Sequence, residues 1–317
     1  SALQAVNDGM ENVIFHLHWT NYLLGKAESE EIAERLKNVF FQRIFAFLEK
    51  RGKVIWTIHN VMPHNCQYVK QEVQLRQMLA TLSSIIHVHS ESSIAEIESF
   101  LPASTGKIVV AHHGHYIGID ENIITREQAR QRYDFSTEET VFLFLGQIRA
   151  YKGVEELVRA FSAVVSTHEN ARLLIAGMPK ESFSIEEICS DSQVLSNVVY
   201  EPRYIERNEL QWFYNCSDFV VLPYRKILTS GSLIHAMSFS RPVIAPDLGM
   251  IKDLVDDNHN GFLYQPNNID ALINAMGRAC ETSESQRQQF FKKAFESVSV
   301  LDWKSVFSRI LARVNMH

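Results

Sequence analysis

Cysteine is scarce and scattered: Cys66, Cys189, Cys216 and Cys280 are the four in 317 residues, and no two form a C-x-x-C pair. That spacing speaks against a zinc knuckle or a disulfide framework and for a reducing compartment. No run of about 18 apolar residues occurs, so no segment reads as a membrane span. The first thirty residues also lack the charged start, apolar middle and small-residue cleavage site of a signal peptide. Glycine (13) and proline (8) are too few for a collagenous or low-complexity chain, and no internal repeat is visible. An excess of basic charge is missing as well. With 31 Lys and Arg against 37 Asp and Glu, the formal charge is −6, which is no field for gathering nucleic acid.

What is present is the composition of a folded protein, 46% hydrophobic and 21% charged. The length suits two domains of roughly 150 residues better than one. Short Val- and Ile-rich runs alternate with helix-length segments: VIFHLHW, KVIWTIHN, SSIIHVHS and KIVVAHHG in the first part, then TVFLFLG, ARLLIAG, NVVYEPRYI, DFVVLPY, RPVIAPD and GFLYQP. Such alternation predicts parallel strands joined by right-handed helical crossovers, hence an α/β protein of two doubly wound parallel sheets, with about four strands in the first and six in the second. The boundary is expected near residue 118, giving domains 1–118 and 119–301, with a last helix, 302–317, packing back on the first. The chain reaches a strand by residue 12, so the first domain is expected to lack its initial one or two βα units.

Open α/β sheets place ligands at the C-terminal ends of their strands. After TVFLFL comes Gly146-Gln147-Ile148-Arg149-Ala150-Tyr151-Lys152-Gly153 and a helix. An arginine and a lysine three residues apart, beside a glycine and a helix start, suit a diphosphate; two exposed basic residues at a sheet edge are the plainer reading. Pro223-Tyr224-Arg225 ends another strand, and Ser230-Gly231-Ser232 then opens a helix, either as an anion-facing turn or as an ordinary N-cap. Nine of the 13 histidines precede residue 116, in i, i+2 pairs such as His16/His18, His87/His89 and His113/His115. Each pair shares a strand face and could offer two metal ligands, but no third ligand is identifiable, so polar residues lining strand ends are the expectation and no metal is assigned. Residues 38–53, NVFFQRIFAFLEKRGK, are apolar almost all round with Arg43, Lys50, Arg51 and Lys53 beside them. Burial against the sheet is expected, and contact with lipid headgroups is the alternative.

The order FLGQIRAYKGVEELVRAF, LLIAG, NCSDFVVLPYR, SGSLIHAMSFSRPVIAPDLG and DNHNGFLYQP resembles the donor half of the retaining nucleotide-sugar glycosyltransferases of family 4. HLHW, TIHN and HHGH fall where that family has strand-end motifs in its other half. The resemblance implies the GT-B fold of two Rossmann-like domains. It also implies sugar transfer, with retention, from a UDP- or GDP-linked donor to a saccharide or lipid-linked acceptor, without a cofactor. It implies polysaccharide or glycoconjugate synthesis in the cytoplasm or peripherally at the inner membrane face. Arg149 and Lys152 would hold the diphosphate beside Gly146, with Ser230 and Gly231 at the helix start, and His59 would act at the transferring sugar. Arg203 and Tyr204 lie where the base is held, Arg225 and His235 complete the donor set, and His18, His113 and His115 lie on the acceptor side. Many relatives carry a Glu-x7-Glu pair where this chain has Ile227 and His235, and Arg where it has Gln147. A subgroup with a PYR...SG pattern shares those departures. The missing carboxylates keep a non-catalytic nucleotide-sugar or partner-binding module, and a nucleotide-sugar epimerase, as alternatives.

Overall fold

The computed structural model describes residues 2–63, 66–180 and 182–314. The chain divides into two compact units, Ser1–His112 with Lys304–His317, and His113–Trp303.

The first unit holds a four-stranded sheet of β1 (Ile14–Leu17), β2 (Lys53–Thr57), β3 (Ile85–Val88) and β4 (Ile108–Val110), in that spatial order and parallel throughout. Alternation along β2 separates its faces. Val54 packs with Ile44 and Phe47 of the helix Glu30–Glu49, while Ile55 meets Ile85, Ala111 and the stripe Val306, Ile310, Val314 of the helix Trp303–Val314. A hydrogen bond from Lys53 Nζ to the Val314 carbonyl, 2.8 Å, pins that helix to the strand. The helix Glu30–Glu49 begins at Ser29, whose hydroxyl accepts from Ile32 N–H, and buries Ala33, Lys37, Phe41, Ile44 and Phe47. The expected burial therefore takes one stripe only, and Ile32, Leu36, Val39 and Phe45 stay exposed.

The second unit holds β5 (Thr140–Leu145), β6 (Ala171–Ala176), β7 (Val198–Glu201), β8 (Phe219–Val221), β9 (Val243–Pro246) and β10 (Gly261–Tyr264). Their order is β10-β9-β8-β5-β6-β7, again all parallel. Every residue of β5 is buried, as a strand covered on both faces requires. Val141, Leu143 and Leu145 face Phe213, Leu233 and Met237, while Phe142 and Phe144 face Leu157, Phe161 and Met276. Beneath the sheet the Asp218 carboxylate, fully buried, accepts from Val141 N–H and pairs with Arg126, Arg130 and Arg287. The sequence order runs outward in both directions from the β5/β8 pair, so the strand order reverses there. That reversal opens a crevice beyond the C-terminal ends of β5 and β8. The four-plus-six strand count matches the expectation from the sequence. The tail is helical in three pieces, Ile269–Cys280, Glu284–Ser299 and Trp303–Val314, and residues 315–317 lie outside the described residues.

Candidate functional site

The two loops that leave β5 and β8 are tied together over the crevice. Arg225 N–H donates to the Tyr151 carbonyl at 2.9 Å. Gly153, at φ 67°, brings its backbone so close to Pro223 that a Cβ would stand 1.9 Å from the Pro223 carbonyl oxygen. No other residue could sit there without parting the loops. Gly146, at φ 140°, leaves its Cα open to Lys152, whose Nζ lies 3.0 Å from where a Cβ would stand. Lys152 Nζ is also 5.9 Å from the centre of the Phe144 ring. Burial, with Arg149 nearby, pushes this ammonium below the usual lysine range, and no carboxylate pairs with it among the described residues. Arg149 is held differently, its Nε donating to Gln147 Oε1 at 3.2 Å. Gln147 thus orients the arginine two residues on.

Across the crevice, Ser230 caps the helix Gly231–Ser238: its Oγ accepts from Leu233 N–H at 3.2 Å and lies 3.3 Å from Tyr224 Oη. The amides of Gly231 and Ser232 begin the first turn and have no carbonyl to bond within the helix. The capping role set against anion binding in the sequence is therefore filled, and it leaves the next two amides for a ligand. His235, further along, donates from Nε2 to Asp120 Oδ2 at 2.9 Å and stacks on Tyr116.

Two arginines of the donor set are already engaged. Arg203 makes paired hydrogen bonds to Glu201 and Glu209, all between 2.7 and 3.0 Å, which lift its pKa further and hold the Glu209 carboxyl down at about 2. Arg225 binds Glu156 through Nε and Nη2, with Glu155 3.9 Å away. Neither guanidinium is a vacant anion receptor, so a contribution to ligand binding would come from backbone or neighbours. Tyr204, by contrast, is 65% exposed. His113 and His115 fall in the second unit. His113 packs edge-on against Trp303, and the His115 carbonyl accepts from Trp303 Nε1 at 3.0 Å.

In the first unit, five histidines gather at the ends of β1, β2 and β3. His16 Nε2 is 2.7 Å from Thr57 Oγ1, Thr57 Oγ1 is 2.9 Å from His87 Nδ1, and His87 Nε2 is 2.7 Å from the Ala111 carbonyl. A carbonyl can only accept, so for neutral rings the chain has one polarity: His16 Nε2–H to Thr57, Thr57 O–H to His87 Nδ1, His87 Nε2–H to Ala111. Burial, with His18 and His87 alongside, pushes His16 down to about 4. His18 Nδ1 and His59 Nε2 are 3.2 Å apart, and Trp19 lies flat on His59 with centroids 4.1 Å apart. Among the described residues no three His, Cys, Asp or Glu side chains converge as metal ligands would; His64 lies outside them. The i, i+2 histidine pairs gave the signal for this cluster, and the segments HLHW and TIHN contain Trp19 and Thr57, but no role was read for either. Asp120 and Tyr116, which lie in none of the motifs read from the sequence, were missed.

Residues 125–296, more than half of the chain, match the model of the family described as glycosyl transferases group 1. The chain belongs to that family. A GDP-mannose:glycolipid 4-beta-D-mannosyltransferase of Xanthomonas campestris pv. campestris is 27% identical over 267 residues, 83% of this chain and 70% of that one. A lipopolysaccharide 1,2-N-acetylglucosaminetransferase of Salmonella typhimurium is 23% identical, covering 78% and 70%. Among solved structures, sucrose-phosphate synthase from Thermosynechococcus elongatus superposes with a TM-score of 0.75 at 17% identity, over 92% of this chain and 79% of that one. Anabaena HepE in complex with UDP and glucose gives 0.71 at 15%, over 100% and 81%. At such identities the likeness shows the fold of this group 1 glycosyltransferase, which is GT-B. No helix among the described residues is long and apolar enough to cross a membrane.

Proposed function

We propose that this chain transfers a sugar from a nucleoside diphosphate sugar to a saccharide or lipid-linked acceptor, retaining the anomeric configuration and using no metal. The observation that carries the reading is Lys152: a largely desolvated ammonium with no carboxylate partner among the described residues, in the loop after β5, beside Gly146 and Arg149. A half-buried cation with no carboxylate partner among the described residues favours an anion that supplies one, and a diphosphate offers oxygens for the lysine, the arginine and the amides together. As the sugar C1–O bond to the β-phosphate breaks, these groups stabilise the charge that develops on the leaving oxygen. The acceptor hydroxyl bonds to C1 from the same face and gives its proton to the departing phosphate oxygen. His59, in the first unit, acts as a hydrogen-bond donor to the sugar or phosphate. The acceptor belongs with the first unit, where Ile32, Leu36, Val39 and Phe45 lie exposed on one helix with Arg43 and Lys50, a composition suited to lipid-linked acceptors at a membrane surface.

Calorimetric titration with UDP and GDP tests the donor site. Lys152→Ala should weaken binding of the preferred diphosphate about tenfold or more, the scale of a lost charge-assisted hydrogen bond, with the melting temperature unchanged. Equal affinity in the parent and the variant would remove Lys152 from the site. Transfer assays run in EDTA, with the product anomer read by NMR, test metal independence and retention. Nucleotide release that depends on added acceptor separates a transferase from an epimerase or a binding module.

A further inference from the structure

Tyr116 lies along the helix Gly231–Ser238 from one end to the other. Its backbone N–H donates to Ser238 Oγ at 3.0 Å. Its ring stacks on His235, with centroids 4.5 Å apart and 26° between planes. Its hydroxyl is the neighbour of Gly231, 3.5 Å from where a Cβ would stand. Positions 231, 235 and 238 share one helix face, so the side chain runs toward the helix start and delivers its hydroxyl to the first turn. That hydroxyl makes no hydrogen bond among the described residues.

The platform beneath the ring is rigid. Asp120, its side chain 2% exposed, receives His235 Nε2–H on one oxygen and Arg207 Nε–H on the other. A carboxylate only accepts, so Nε2 carries the proton and the neutral ring leaves Nδ1 bare. Burial keeps the His235 imidazole below its ordinary pKa, although Asp120 pulls the other way. Burial and Asp120 also push the Tyr116 phenol up, so the hydroxyl keeps its proton at neutral pH.

We propose that Tyr116 is a further donor-binding residue, its hydroxyl donating to a nucleoside diphosphate seated at the start of the helix Gly231–Ser238, and that Asp120 positions the Tyr116 ring through His235. The inference rests on the donor-site reading above and adds to it a residue from the segment preceding α/β sheet two, outside every motif in the sequence.

The test is calorimetric titration of the full chain with UDP and GDP, and donor steady-state kinetics, for the parent, Tyr116→Phe, Asp120→Asn and the double variant. Phenylalanine keeps the stacking and removes an oxygen that makes no hydrogen bond among the described residues, so folding should be spared. Tyr116→Phe should weaken diphosphate binding about five- to tenfold, as one lost hydrogen bond does, and raise the donor KM more than it lowers kcat. Asp120→Asn should weaken binding in the parent but add little in the Tyr116→Phe background, because its effect passes through the hydroxyl. If the parent binds diphosphate and Tyr116→Phe binds it equally well, the inference is overturned while the donor site stands. Additive losses in the double variant would overturn the positioning role of Asp120. A parent that binds neither UDP nor GDP would overturn the donor site and the inference with it.

Discussion

The chemistry of a single side chain depends on what already occupies it. Arg149, Lys152, Arg203 and Arg225 look alike in sequence as basic residues near strand ends. Their surroundings divide them: Arg203 and Arg225 are bound to carboxylates, Arg149 to an amide, and Lys152 to no counterion among the described residues. The same holds for the histidines. His59 is stacked between Trp19 and its neighbours, within hydrogen-bond distance of His18. If it donates to the reacting sugar, His59→Ala should lower kcat and kcat/KM together by about a hundredfold while UDP or GDP affinity and melting temperature hold. A variant turning over like the parent would place the chemistry elsewhere. His16 predicts a pH effect instead. Unfolded, it takes up a proton near 6.5, but folded only near 4. Between those values the unfolded chain holds more protons, so the contribution is complete above about 6.5 and is lost as pH falls toward 4. His16→Gln, whose amide can still reach Thr57, should flatten the acid side of a denaturation-midpoint profile; an unchanged slope would rule His16 out as its source.

Among the elements, the buried arginine cluster beneath the second sheet has the clearest energetic consequence. Arg126 and Arg130 from one helix, Arg287 from another, and the strand amide of Val141 all converge on Asp218. Arg241, also buried, donates to the Ser217 carbonyl beside them. Carbonyls at helix ends supply some of the compensating negative charge, but among the described residues Asp218 is the one carboxylate within ion-pair distance of Arg126, Arg130 and Arg287. Asp218→Asn leaves those guanidiniums buried without it and should cost about 3–5 kcal/mol, measured by urea unfolding; a loss below about 1 kcal/mol would show that the carbonyls suffice. In the sequence Asp218 looks like an ordinary residue between a helix and a strand. The helices of this unit were legible because their apolar period is strong, while the carboxylate that ties three of their arginines together is invisible without the fold.

Across the whole molecule, the two units differ in how they are assembled from the chain. Both cores of the second unit are made of residues between 113 and 303. The first unit completes its sheet with Val306, Ile310 and Val314, almost two hundred residues after β4. A chain ending at Trp303 should therefore keep the second unit folded and able to bind diphosphate, while the exposed Ile55, Ile85 and Ala111 destabilise the first by several kcal/mol, at about 25 cal/mol per Å² of apolar area uncovered. Hydrogen exchange resolved by segment would check this, and unchanged protection of β2 and β3 would contradict it.

The sequence by itself determined the alternation of strands and helices, the parallel sheets, their four and six strands and the family, because apolar period and glycine spacing are local properties that survive without the fold. It also brought out Gly146, Arg149, Lys152, Ser230 and Gly231, which follow the C-terminal ends of β5 and β8, because strand ends can be read from one dimension. Only the tertiary structure decided which basic groups are already neutralised, how Thr57 links two histidines, and that Asp120 and Tyr116 come to lie against a helix more than a hundred residues away. Hydrogen bonds, ion pairs and ring stacks reach only a few ångströms, and residues distant in sequence enter that range only when the sheets have set the path of the chain.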